Sequence, residues 1–501
     1  MSPDQSSAPP ASGQPGPGPA LLRATTFACR IGTAAGALLL AAAFYRFGLH
    51  WSASAGGWYA TAITVIAITL WLPSAPPGLR VGAIVSAFLV LFTLLGIELV
   101  LETLNRREVL GLRQAVEQRT GVRYDVRYIP EVVHDLQAKG VTAVPSIVPK
   151  TLLGFVNQRV SPESRFRAPF LPMGGVANRT TVQLCVEGGQ YPIYQSDEHG
   201  FLNPPGNWSP SPDQVILIGD SYTHGYCVPE DSTIAAALRA HWPHVLSLGT
   251  GGSGPLVELA TLSEYAGPLH PKMVLWLYSE NDFRDLAREQ QNPTLMQYLQ
   301  PGFCQGLDSL QPAIDRSLTE WIDRVYATNS APRAEGEFNW RNTVTLTLIR
   351  GALFPEPDLD RDALPMPELP LFTRSLAAAD ARVRSWGGRL VFVFLPDWAR
   401  FFAVNSVQND STRPAALAAA RELGIPILDL LPVFTAQPDQ ASLFSRWSIS
   451  RGHFSGKGYA VAASAIATSL AGLHDSLAGQ PASAAGAPHR CGIPAGAPLS
   501  H

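Results

Sequence analysis

The sequence predicts an α/β protein: a doubly wound domain with a parallel sheet, preceded by transmembrane helices. Three observations lead there. Short apolar runs alternate with helical stretches after residue 212, three longer apolar runs crowd the first hundred residues, and charged residues make up only 15% of the 501-residue chain, against about a quarter in soluble proteins. The formal net charge of −3 lacks the basic surplus needed to neutralise phosphates, so no nucleic-acid partner is expected. Only Lys139, Lys150, Lys272 and Lys457 are lysines among the basic residues, a bias of composition rather than a motif.

Residues 1–20 (MSPDQSSAPPASGQPGPGPA) are dense in Pro, Gly and Ser. Such a segment buries too little apolar surface to offset its ordering entropy and is expected to be disordered, as is the tail 476–501. Residues 21–104 form the membrane region, with apolar runs at Ile31–Tyr45, Trp58–Leu72 and Val81–Ile97. A hydrocarbon core of about 30 Å needs about 20 helical residues; the third run supplies them if Glu98 is tolerated near its end, and the first two borrow from their flanks. A cleaved signal peptide has one such run, not three, so about three transmembrane helices are expected. Loop charges do not orient them, because Arg23, Arg30 and Arg80 balance Arg46, Arg106 and Arg107. An odd number of spans places the C-terminal domain across the membrane from a cytoplasmic N-terminus.

Residues 105–211 read as a helical stalk followed by a β-rich prelude. From 212 to 475 the pattern alternates: VILIGD (215–220), HVLSLG (244–249), MVLWLYS (273–279), RLVFVFLP (389–396) and IPILDLL (425–431) are apolar runs of strand length. Runs of this kind suit strands buried on both faces of a parallel sheet, and the helical stretches between them make the domain doubly wound. The interval of about 283–371 exceeds a simple crossover and reads as an insertion over the ligand-binding edge.

Four residues carry the candidate chemistry. Ser221 ends the first strand in VILIGDSYTHG, where its hydroxyl can attack and its N–H can face an oxyanion. Gly252 lies in the Gly-rich turn SLGTGGSGP, Asn281 follows the third strand in LWLYSENDF, and His453 sits before the last helix in SRGHFSGKGY. In this order the four blocks resemble the SGNH (GDSL-like) superfamily of esterases and acyltransferases, over about residues 212–472. The lead-in YQSDEHGFLNPPGNW is similar to that of bacterial membrane-anchored members. The resemblance implies a flavodoxin-like sheet. It makes Ser221 the nucleophile and first oxyanion donor, Gly252 and Asn281 the further donors, and His453 the general base. Gly252 is preferred by its spacing from Ser247, with Gly249 and Gly254 as alternatives.

Two departures stand out. Glu280 replaces the usual Gly before Asn281, and no carboxylate stands at Ser450 or Arg451, where the family's acid precedes its His. His453 would then act as a dyad oriented by a backbone carbonyl, or borrow Asp429 or Asp397. Cys185 and Cys227 flank the first block; they either pair, which would fit an exported domain, or remain two buried thiols. His224 is expected to line the pocket. No metal constellation and no phosphate loop appear, and no cofactor is expected. The implied function is a membrane-anchored serine esterase removing acyl groups, O-acetyl being the favoured case, from envelope carbohydrate or lipid. It would sit in a bacterial inner membrane with its catalytic domain periplasmic. The alternatives are an acyltransferase acting on polysaccharide with the same serine, or a catalytically weakened binding module.

Overall fold

The long apolar helices of the first hundred residues and the strand-forming runs after residue 212 fold into different units. The computed structural model describes residues 18–47, 53–153, 166–186, 188–328, 338, 340–353, 368–402, 412–445 and 452–477. It divides into one unit holding residues up to 105 together with 338–355, and a second holding 106–337 and the chain from 356 on.

In the first unit, helix α1 spans Pro19–Phe47 and α2 spans Ala53–Trp71. Gly32 and Gly36, one turn apart on α1, let α2 come close: a Cβ on Gly32 would lie 2.6 Å from Thr69 Cγ2, and one on Gly36 2.7 Å from Ile66 Cγ1. Small residues at this spacing are how apolar helices approach in lipid. Thr33 Oγ1 and Thr69 Oγ1 add a hydrogen bond of 3.0 Å. Helix α3 runs unbroken over Pro77–Thr120, so the third apolar run and the stalk are one helix. Two stretches, Pro19–Ala41 and Pro77–Gln118, are long and apolar enough to cross a membrane, while Trp58–Ser74 is apolar but shorter. The second apolar run lies in α2, which closes in the turn Leu72–Ser74 containing Pro73. Glu98, fully buried on α3, accepts from Leu348 N at 2.6 Å and Ile349 N at 2.9 Å. It thereby satisfies first-turn N–H groups of the helix Thr347–Leu353.

In the second unit, β1 (Ala143–Pro145), β2 (Thr180–Val182) and β3 (Ile193–Gln195) form a small sheet of three-residue strands. Among the described residues the prelude holds this sheet and a helix at Ile129–Ala138. Its prolines remove ladder donors and keep strands short. The main sheet contains β4 (Val215–Gly219), β5 (Val245–Ser247), β6 (Met273–Tyr278), β7 (Arg389–Phe394) and β8 (Ile427–Asp429). All pairings are parallel and the order is β5-β4-β6-β7-β8, the doubly wound, flavodoxin-like order that the sequence resemblance implies. Side chains alternate across the sheet. Ile216, Ile218, Val274, Trp276, Leu390 and Phe392 enter one core, and Val215, Leu217, Leu275, Leu277, Val391 and Val393 enter the other.

The described residues of the insertion fall in both units. Its helix Leu307–Thr328 buries Ile314, Leu318 and Trp321 in the first core, and residues 338–355 belong to the other unit. The tails expected at 1–20 and 476–501 fall almost wholly outside the described residues, although α1 already begins at Pro19.

Candidate active site

In this strand order the chain reverses direction between β4 and β6, and the carboxyl ends of these strands open the crevice where such folds bind ligands. Ser221 follows β4 at the start of the short helix Ser221–His224, and Asn281 follows β6 as the N-terminal flank of Asp282–Glu289. His453 comes from the far end of the chain. A bridge pairs Phe444 with Phe454, and Ser445 donates to His453 O through N at 2.8 Å and through Oγ at 2.9 Å. These bonds fix the backbone that carries the imidazole. The result is a contact of 3.0 Å between His453 Nε2 and Ser221 Oγ. Tyr222 and Tyr226 lie against the His453 ring, with centroids 5.3 and 5.4 Å away.

Asp220, fully buried, ties the first block to the third. It accepts from Tyr222 N at 2.9 Å, Ser279 Oγ at 2.8 Å and Asn281 Nδ2 at 3.2 Å, with Ser221 Oγ 3.5 Å away. Burial raises its carboxyl above the usual range, while these hydrogen bonds and the nearby His453 pull it back. Asn281 is held from both ends: its Oδ1 lies 2.6 Å from Ser279 Oγ, and its Nδ2 also reaches Asp285 Oδ2 at 3.4 Å. The fold thus brings Asn281 beside the serine block through a shared carboxylate.

Gly252 takes a positive φ of +67°, which only glycine adopts without penalty. Lys150, from the prelude, covers it: a Cβ at 252 would lie 2.5 Å from Lys150 Cδ. Lys150 Nζ pairs with Asp285 Oδ1 at 2.9 Å, so the second and third blocks share a lysine that no sequence motif marks. The rest of the Gly-rich turn is held by Glu289, which accepts from Gly254 N at 2.6 Å and Leu256 N at 2.9 Å. Burial pushes the Glu289 carboxyl up to about 8. Gly254 is committed to this bond, and Gly249 packs against the backbone of His224.

Glu280, the residue that departs from the family pattern, forms an ion pair with Arg400, whose Nε donates at 2.7 Å. Burial raises its carboxyl to about 7, against the pull of Arg400. Of the two acids considered for His453, Asp429 pairs with Arg413 and accepts from Leu431 N at 3.1 Å, which makes it a strand-end anchor. Asp397 is buried and adds its charge at Glu280. Ser450 and Arg451 lie outside the described residues.

A sulfur lies beside His453 Nδ1. Cys227 Sγ lies 3.4 Å from it, and Cys227 is disulfide-bonded to Cys185 with Cα atoms 5.1 Å apart. Sequence spacing shows no metal-ligand set, yet the fold brings Cys185, Cys227 and His453 together; β2 and the loop after Ser221 are distant in sequence, so no local motif could reveal it. His224 differs from the expectation that it lines the pocket. It is buried between Gln183 Nε2 at 3.4 Å and Tyr194 OH at 3.3 Å, and burial lowers its pKa to about 4.

No family model and no curated protein matches the chain. Among solved structures, it is similar to a lipolytic protein of the G-D-S-L family from Desulfitobacterium hafniense, with 13% identity over 51% of this chain and 98% of that one, at a TM-score of 0.30. A lipase/acylhydrolase from Enterococcus faecalis has 14% identity over 52% and 96%, at a TM-score of 0.31. An alpha/beta hydrolase enzyme from the metagenome of Lake Arreo, Spain, has 14% identity over 53% and 98%, at a TM-score of 0.30.

Proposed function

We propose that the chain is an SGNH-type serine hydrolase acting on ester bonds, anchored in a membrane by its N-terminal helices. One observation carries the reading: Ser221 Oγ and His453 Nε2 meet at 3.0 Å at the carboxyl end of β4. A serine hydroxyl is a weak nucleophile until a base takes its proton, and an imidazole nitrogen at this distance is placed to take it. Ser221 attacks the ester carbonyl, its proton passes to Nε2, and a tetrahedral oxyanion forms. His453 then protonates the leaving alcohol, and water resolves the acyl-enzyme by the reverse sequence. Gly252 and Asn281 are the oxyanion donors in this reading, the Asn281 amide turning from Asp220 toward the developing charge.

The substrate proposed is an acylated carbohydrate or lipid of the cell envelope, with O-acetyl the favoured group. The two long apolar helices support a membrane location. The Cys185–Cys227 disulfide supports an oxidising compartment, hence a periplasmic catalytic domain. Incubating the detergent-solubilised full chain with a fluorophosphonate should label Ser221, and acetyl esters should be cleaved by the wild type but not by Ser221→Ala. Adding an oligosaccharide acceptor separates hydrolysis from transfer: free acetate marks an esterase, and acetylated acceptor marks an acyltransferase. A label on another residue, or none on folded protein, would overturn the assignment.

A further inference from the structure

We propose that reduction of the Cys185–Cys227 disulfide opens a Cys2His site for a soft divalent cation such as Zn2+, and that the bound ion silences His453 by fixing its tautomer. Among the described residues, Cys185, Cys227 and His453 are the three whose ligand atoms cluster, all within 4.8 Å of one another. Thiolates and a neutral imidazole are the donors zinc prefers, with Zn–S about 2.3 Å and Zn–N about 2.0–2.1 Å. For tetrahedral coordination these bond lengths put a sulfur and a nitrogen about 3.5 Å apart; Cys227 Sγ and His453 Nδ1 already lie at 3.4 Å. The two cysteine Cα atoms are 5.1 Å apart, so both sulfurs can reach one ion once the bond between them opens.

The chemistry balances without hidden partners. A dithiol reductant supplies two electrons and two protons to the S–S bond and itself becomes a disulfide, leaving two protein thiols. Zn2+ then displaces both thiol protons to the solvent and takes Nδ1 as a third ligand. A neutral imidazole carries one N–H. With Nδ1 occupied by metal, that hydrogen must sit on Nε2, which points at Ser221 Oγ. Nε2 then donates to the serine and can no longer accept its proton. The ring need not move: the base is lost by tautomer alone.

The binding half of this inference stands apart from the proposed activity, and the silencing half rests on it, so the test reads both. Full-length protein is reduced with dithiothreitol, freed of reductant without oxygen, and titrated with Co2+ and Zn2+. Expected is one equivalent of Co2+ with thiolate-to-cobalt charge-transfer absorption, displaced by Zn2+. The signal should be missing in oxidised protein and in Cys185→Ser/Cys227→Ser, and weakened in His453→Ala. Equal metal uptake by oxidised and reduced protein, or an undiminished signal in the double variant, overturns the site. Fluorophosphonate labelling of reduced protein should be lost with Zn2+ and return with a chelator; bound zinc without loss of labelling overturns the silencing. If reduction unfolds the chain, Cys185→Ser carries the test, since it leaves the Cys227 thiol beside His453 without any reductant. It must then show single-thiolate cobalt absorption that His453→Ala removes, and absence of that absorption overturns the proposal.

Discussion

Two histidines lie on either side of Tyr226, their ring centroids 5.1 and 5.4 Å from its own, and they live in opposite surroundings. His224 is three residues from Ser221 in sequence, fully buried, and bound to Gln183 and Tyr194. His453 is 232 residues away, partly exposed, and touches Ser221 Oγ. Proximity in sequence therefore says little about which imidazole can work. A base must take up a proton at neutral pH, and burial that lowers the His224 pKa to about 4 forbids that. His224 is tied to Gln183 and Tyr194, and His453 is the imidazole that meets Ser221.

The largest break in this comparison is His453→Ala. Loss of the general base should cut ester turnover by about 100- to 10,000-fold, whereas His224→Gln should leave turnover within a few-fold. Steady-state kinetics on one acetyl ester checks both, and a reversed ranking would exchange the two roles. The next effect concerns the donor that Asp220 holds beside the serine. Asn281→Ala should lower turnover by about 100- to 1,000-fold, the usual loss for one oxyanion donor, with little change in melting temperature. Unchanged turnover would mean that the amide serves only Asp220 and Asp285.

The smallest effect sharpens the comparison through pH. Folded His224 stays neutral down to about pH 4, while the unfolded chain protonates it below about 6.5. The unfolded state thus binds more protons across that window, so this residue's contribution to stability is full above about 6.5 and is lost as pH falls toward 4. The loss is of order 3 kcal/mol. Buried Glu289, with its pKa raised to about 8, titrates with the opposite sign, so the readout is the difference between wild type and His224→Gln. Unfolding measured at pH 7, 5.5 and 4 should show that difference shrinking as pH falls. A gap independent of pH would mean that His224 is not held neutral.

The sheet and the serine–histidine pair were legible because each is written locally. Apolar runs such as VILIG and MVLWLY suit strands buried on both faces, and Ser221 and His453 sit in recognisable blocks, after the first strand and before the last helix. What escaped is set by partners far apart in the chain. Lys150 reaches Gly252 from the prelude, and its own neighbours in sequence give no hint of it. The possibility that Cys185 and Cys227 pair follows from their flanking positions, but the sulfur at His453 Nδ1 depends on how three distant segments meet. The helix Thr347–Leu353 joins the apolar unit through Glu98, a bond between residues 250 apart that no periodicity encodes.

That last bond has a practical consequence. The chain passes between its two units three times, after 105, after 337 and after 355, so the apolar unit is stitched to the unit that carries the sheet rather than merely preceding it. Cutting the peptide between Asn105 and Arg106 would leave the parts tied through residues 338–355, as long as Glu98 keeps its grip on Leu348 and Ile349. A chain begun at Arg106 would keep that helix while losing the carboxylate that receives its first N–H groups, leaving Leu348 and Ile349 as an apolar end without its seat. Removing the apolar unit whole therefore takes two excisions, the N-terminal helices and the segment 338–355 together.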